Sequence, residues 1–130
     1  GILNISSSLG LVAVPGFAVY GGTKHYVTAM SDALRAELAG TGVVVTQICP
    51  GPVETEFIER SEGPEGLRSP AIIEISAQRC ARASLRAFRR GRAGPVVPGI
   101  AIKLLMLLGR VTPRPLMRWL GGFFARTLPP

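Results

Sequence analysis

Two short apolar runs separated by one long amphipathic stretch constrain this chain more than any other feature. Ile2–Ile5 is apolar and is followed at once by Ser6-Ser7-Ser8 and Gly10, the pattern of a buried strand that ends in a polar loop. From Phe17 to Ala39 the period changes. Tyr26, Val27, Met30, Leu34 and Leu38 recur at intervals of three and four, and Gly40 and Gly42 close the predicted helix. Gly42–Cys49 is then a β-branched run that Pro50-Gly51-Pro52 stops abruptly. A strand that returns through a helix pairs in parallel with the strand before it. An apolar second strand in such a unit is buried on both faces, so the chain reads as α/β with a parallel sheet.

The remainder is more irregular. Residues 54–70 are acidic, carry Gly63, Pro64, Gly66 and Pro70, and read as a long mobile loop. Ser76 is an N-cap candidate for a helix over 77–90 that Gly91 ends. Gly94–Pro98 is a short extended segment, and two further helices are expected near 99–109 and 114–126, separated by Pro113 and Pro115. Cys49 and Cys80 stand 31 positions apart with no CxxC and no histidine cluster, which predicts two reduced thiols, no metal site and a cytoplasmic setting. No run reaches the eighteen or so apolar residues of a membrane span. The opening Gly1-Ile2-Leu3-Asn4-Ile5 reads as mid-strand, so the sequence is expected to be part of a longer protein.

Tyr20 and Lys24 are four apart at the start of the long helix, and so lie on one face, one turn from each other. A tyrosine of ordinary pKa, about 10, is a poor proton donor or acceptor at neutral pH, and a neighbouring ammonium favours its phenolate. The pair is suited to carbonyl–alcohol interconversion. Ser7 lies thirteen residues before Tyr20, in a loop beyond the C-terminal end of a strand, where open α/β sheets bind ligands. Its hydroxyl can hydrogen-bond a carbonyl oxygen that gains negative charge. Pro50-Gly51 ends the second strand on the same edge and brings Val53 and Thr55 beside the same crevice.

The run Asn4-Ile5-Ser6-Ser7-Ser8-Leu9-Gly10, then Tyr20-Gly21-Gly22-Thr23-Lys24, then Pro50-Gly51-Pro52-Val53-Glu54-Thr55 resembles the short-chain dehydrogenase/reductase family in order and spacing. The resemblance is specific over residues 1 to about 57 and looser to Arg90. It implies the C-terminal half of a Rossmann-like, doubly wound parallel sheet: a partial catalytic domain over 1–98 and a basic, apolar helical tail over 99–130. It implies that Ser7 polarises the substrate, that Tyr20 is the general acid/base, and that Lys24 binds the nicotinamide ribose and tunes Tyr20. Pro50, Gly51, Val53 and Thr55 match positions around the nicotinamide. NADP or NAD is the implied cofactor and a small carbonyl or alcohol, hydrophobic or lipid-like, the implied substrate. The family's glycine-rich turn, its NAD-versus-NADP selector and its active-site asparagine have no counterpart here, so residues 1–130 alone are expected to be inactive. Ser6, Ser8 and His25 read as local hydrogen-bonding or packing residues.

Charge raises a second set of expectations. Residues 1–76 hold all eight acids and four cations, a net of −4; residues 77–130 hold eleven Lys/Arg and no acid. The competing function is a nucleic-acid-binding or scaffold module on a dehydrogenase-like fold, against which the intact Ser7, Tyr20 and Lys24 set speaks. No nucleic acid is therefore expected as partner, and Arg79, Arg82, Arg86, Arg89, Arg90 and Arg92 read as a solvated helix face. The tail has the composition of a basic amphipathic helix at a membrane interface, or of a lid over an apolar pocket. It loosely resembles the tails of membrane-associated family members. A peripheral membrane contact and a homo-oligomer are the partner readings it leaves open.

Overall fold

A computed structural model describes residues 1–14, 16–56, 71–113 and 115–116. Strand β1 (Ile2–Ile5) leads through a 3₁₀ turn at Ser8–Gly10 into helix α1 (Ala18–Glu37), which returns the chain to β2 (Val45–Ile48). A second crossover runs through β3 (Val53–Glu54), a 3₁₀ turn at Ala71–Ile73, β4 (Ile75–Ser76) and α2 (Ala77–Arg89) to β5 (Pro95–Val96). Helix α3 (Ile100–Val111) follows. The main sheet has the order β1-β2-β5 with both pairings parallel, as the strand–helix–strand pattern requires. Strands β3 and β4 form a separate parallel pair, with Val53 opposite Ile75. Ser76 is expected from the sequence only as an N-cap; two residues are too few for an alternating pattern to declare the strand it shares with Ile75.

β2 is the centre of the core. All four of its residues are buried, although Thr46 and Gln47 are polar. Thr46 Oγ1 donates to the Arg92 carbonyl and Gln47 Nε2 to Cys49 Sγ, while Gln47 Oε1 is buried without a hydrogen-bond partner among the described residues. The strand is shorter than expected from the run of valines. Gly42 takes a left-handed φ of 80° and leaves Val43 and Val44 exposed before the buried strand begins. α1 is held to β1 by Asn4 Nδ2, which donates to Ser31 Oγ at 2.9 Å. α2 begins where expected, with the Ser76 hydroxyl accepting from the Arg79 N–H. It ends at Gly91, whose φ is 57°. The segment expected as a loop over 54–70 starts with Glu54 in β3, and its residues 57–70 lie outside the described residues, as do Trp119, Phe123 and Phe124 and all but residues 115–116 of the helix expected over 114–126.

Cys49 and Cys80 are both free thiols, and Cys49 is wholly buried at the end of β2. Burial pushes the Cys49 thiol above its ordinary value of 9.0, with hydrogen bonds from Ser6, Gln47 and Thr28 pulling part of that back. The unfolded chain ionises this thiol near the ordinary value and the native chain does so only at higher pH. Its contribution to stability is therefore complete below about pH 9 and is lost as the pH climbs beyond it. Urea midpoints of a Cys49→Ala variant should accordingly fall less steeply than wild type between about pH 8 and pH 10. Parallel slopes would mean that the native fold lets this thiol ionise freely.

Candidate active site

The site grows from the way two strand ends are kept together. Beyond β1 and β2 the backbones remain paired, with the Ser6 N–H donating to the Ile48 carbonyl and the Ser8 N–H to the Pro50 carbonyl. Ser7 sits between them, buried, and caps the Ser8–Gly10 turn: its hydroxyl accepts from the Leu9 N–H at 3.2 Å. The turn is seated on α1. Ser6 Oγ donates to the Lys24 carbonyl at 2.9 Å and lies 3.0 Å from Thr28 Oγ1. Gly10 makes that seat possible, because a β-carbon there would stand 2.7 Å from both the Lys24 carbonyl and Ser6 Oγ.

α1 begins at the edge of the sheet where β1 ends, and its first turns carry the remaining chemistry. Tyr20 is half-buried, and its ring meets Phe17 edge-on with centroids 6.4 Å apart. One turn later, Lys24 Nζ stands 5.7 Å from the Tyr20 ring centroid, within cation–π range. The ammonium also donates to the Ile5 carbonyl at 3.2 Å. Ile2 and Ser6 direct their N–H groups at β2. Ile5 is out of step with them by an odd number of residues and turns its carbonyl to the other side, where Lys24 meets it. Gly21 passes 3.6 Å from the Leu9 carbonyl, measured from the β-carbon it lacks, whereas nothing lies within 4 Å of that position at Gly22. His25 Nδ1 is hydrogen-bonded back to the Gly21 carbonyl of its own helix, in line with an ordinary local role.

Ser7, Tyr20, Lys24, Pro50 and Gly51 therefore share one edge of the sheet. Val53 and Thr55 continue away from it in sequence: Val53 opens the β3–β4 pair, and Thr55 is exposed, its hydroxyl donating to the Val53 carbonyl at 3.3 Å. Three contributors were not foreseen. Ser6 is the residue that fastens the serine turn to α1. Ile102 of α3 packs against Gly51, where an added β-carbon would stand 2.6 Å from its Cγ1. Val12, in the loop between Ser7 and Tyr20, meets α3 again at Gly109, 3.3 Å from that glycine's missing β-carbon. A glycine inside an aliphatic helix was the one sequence signal of this close approach.

The two glycines make opposite predictions. Gly10→Ala should lower stability by about 1–3 kcal/mol through overpacking against backbone, while Gly22→Ala, which meets open space in a helix, should raise it by about 0.5–1 kcal/mol. Urea denaturation of both variants checks the seat; equal effects would sink it.

A family model described as short chain dehydrogenase matches residues 1–65, half of the chain. Sulfoacetaldehyde reductase of Chromohalobacter salexigens is 42% identical over 71 residues, which cover 55% of this chain and 28% of that protein. A short-chain dehydrogenase from Burkholderia cenocepacia, solved in complex with NADP, superposes with a TM-score of 0.68 at 28% identity, covering 88% of this chain and 45% of that one. A short-chain dehydrogenase from Sphingobium yanoikuyae, in complex with NADPH, gives 0.64 at 27% identity, over 82% and 41%. The chain thus spans about a quarter of the length of the curated relatives it matches, and under half of these solved structures.

Proposed function

Because this chain belongs to the short-chain dehydrogenase family, we propose that it carries the catalytic residues of an NADP- or NAD-dependent oxidoreductase that interconverts a carbonyl and an alcohol. The observation that carries the reading is the seating of the Ser7 turn on α1 beside Tyr20 and Lys24. One helix face and one adjoining turn thereby supply an ammonium, a phenol and a serine hydroxyl at the edge where the strands end. That donor set fits the nicotinamide–ribose end of the cofactor. The NADP and NADPH complexes of the two similar structures favour NADP over NAD.

Bound there, the nicotinamide would supply or accept the hydride. The rest is work for this chain. Ser7 accepts from the Leu9 N–H, which leaves its own proton to donate to the substrate oxygen as charge builds on it. Tyr20 gives its proton to that oxygen in reduction and takes it back in oxidation. Lys24 offers its ammonium to the ribose hydroxyls and sets a positive charge against the Tyr20 ring, countering the charge left on the phenol when the proton departs. A hydrophobic or lipid-like substrate is part of the same proposal.

Hydride transfer by the full-length protein, followed through nicotinamide absorbance with a panel of aldehydes and ketones, tests this directly. Tyr20→Phe keeps the ring and removes the proton, so kcat should fall by about 10²–10⁴-fold with the cofactor Kd little changed. Lys24→Ala should weaken cofactor binding as well as turnover. Near-normal turnover by Tyr20→Phe would overturn the assignment of roles, and no turnover of the panel with either cofactor would overturn the reaction class.

A further inference from the structure

The arginines of α2 and the outer face of α3 take no part in this chemistry, yet they adjoin each other. Arg79, Arg82, Arg86, Arg89 and Arg90 follow at steps of three, four, three and one. At roughly 100° per residue the five guanidinium groups fall within an arc of about 100°. All five are exposed. Four of them, with Leu85, line a shallow depression of about 380 Å³. A second depression of about 280 Å³ is shared by Arg86, Arg90 and Arg92 with Lys103 of α3. Lys103 is the seam between the two helices.

Immediately beside that seam α3 turns apolar. Ile100, Leu104, Leu107, Leu108 and Val111 occupy another arc of about 100°, and they are 75, 61, 60, 63 and 70% exposed. The opposite face is committed, with Ile102 only 3% exposed and packed on Gly51. Five large aliphatic side chains left in water on one helix mark an interaction surface. Charge decides what it meets. A second copy of the chain would bring one acid-free basic face against another, and like charges across an interface cost affinity. A surface of uniform negative charge over an apolar interior matches both halves at once: aliphatic side chains enter the acyl boundary while guanidinium groups stand at the level of the phosphates.

We propose that α3 and the arginine face of α2 form one peripheral docking surface for an anionic lipid bilayer, with Lys103 at the junction. No helix among the described residues is long and apolar enough to cross a membrane, so α3, about 18 Å long, lies in the interfacial plane. The proposal stands on exposure and charge, independently of the catalytic reading.

Co-sedimentation of the full-length protein with vesicles tests it. Binding is expected to phosphatidylcholine vesicles containing one third phosphatidylglycerol, to be weak or absent with phosphatidylcholine alone, and to fall as salt rises. Arg86→Ala and Arg90→Ala should each lower partitioning about fivefold. Leu104→Glu with Leu108→Glu should abolish it while circular dichroism and Tm are retained. The proposal is overturned by equal binding to both vesicles, by no binding, by wild-type binding of the glutamate variant, or by tighter binding to duplex DNA than to anionic vesicles at the same salt. Turnover of a water-soluble substrate by the arginine variants should match wild type. A protein that docks on vesicles but reduces no carbonyl would sink the catalytic reading and leave this one standing.

Discussion

The rest of the site depends on the hydroxyl of one serine. Ser6 is 3% exposed, gives its N–H to the end of β2 and its side chain to the backbone of Lys24 in α1. A buried hydroxyl without a partner costs about 1–3 kcal/mol, so the arrangement with Ser6 satisfied is selected over loop conformations that leave it unpaired. Strand pairing and helix position are thereby fixed by one residue. Once the carbonyl of Lys24 is held, the face of α1 that presents Tyr20 and the Lys24 ammonium is held as well. Gly10 is the steric complement of the same contact, since only hydrogen fits between the turn and the helix there.

The core repeats this device away from the site. A central parallel strand is covered on both faces and is commonly continuous in aliphatic residues, yet β2 buries Thr46 and Gln47 completely. Thr46 reaches the carbonyl of Arg92, in the segment leading to β5, and Asn4 on β1 reaches Ser31 on α1. Such bonds contribute modestly to net stability, but a one-residue slip would strand each of these buried groups without its partner. They tie β2 to the segment leading to β5 and β1 to α1, while the parallel backbone ladder brings Ser6 and Ser8 opposite Ile48 and Pro50.

What was legible in the sequence follows from what has a period. α1, α2 and the β1–α1–β2 unit announced themselves through spacing of three and four, through β-branched runs, and through the Ser76 cap and the closing glycines. The turn carrying Ser7 and the helix carrying Tyr20 and Lys24 were legible because they are local. The β3–β4 pair was not, since two-residue strands carry no alternation. Nor was the contact of Ile102 with Gly51, which joins positions 51 apart with no pattern between them. Ser6, Ser7 and Ser8 look equivalent in sequence. Only the fold separates the residue that locks the turn from the one that caps it and the one that pairs with Pro50.

α3 links the two halves of this chain, which differ so sharply in charge. Its inner face is wedged against Gly51 through Ile102 and meets Val12 at Gly109, so it touches both loops that flank the proposed catalytic edge. Its outer face carries the exposed aliphatic stripe. A helix of 12 residues held by Ile102 on Gly51 and by Val12 on its own Gly109 has little freedom to rotate, because each close approach fixes its azimuth. The same packing therefore dictates which residues of α3 face outward. On the proposed readings, a lipid-like substrate leaving an anionic bilayer would enter beside the helix that docks there. The acidic residues, all of them before Ala77, lie on the stretch of chain that does not contribute to that basic surface.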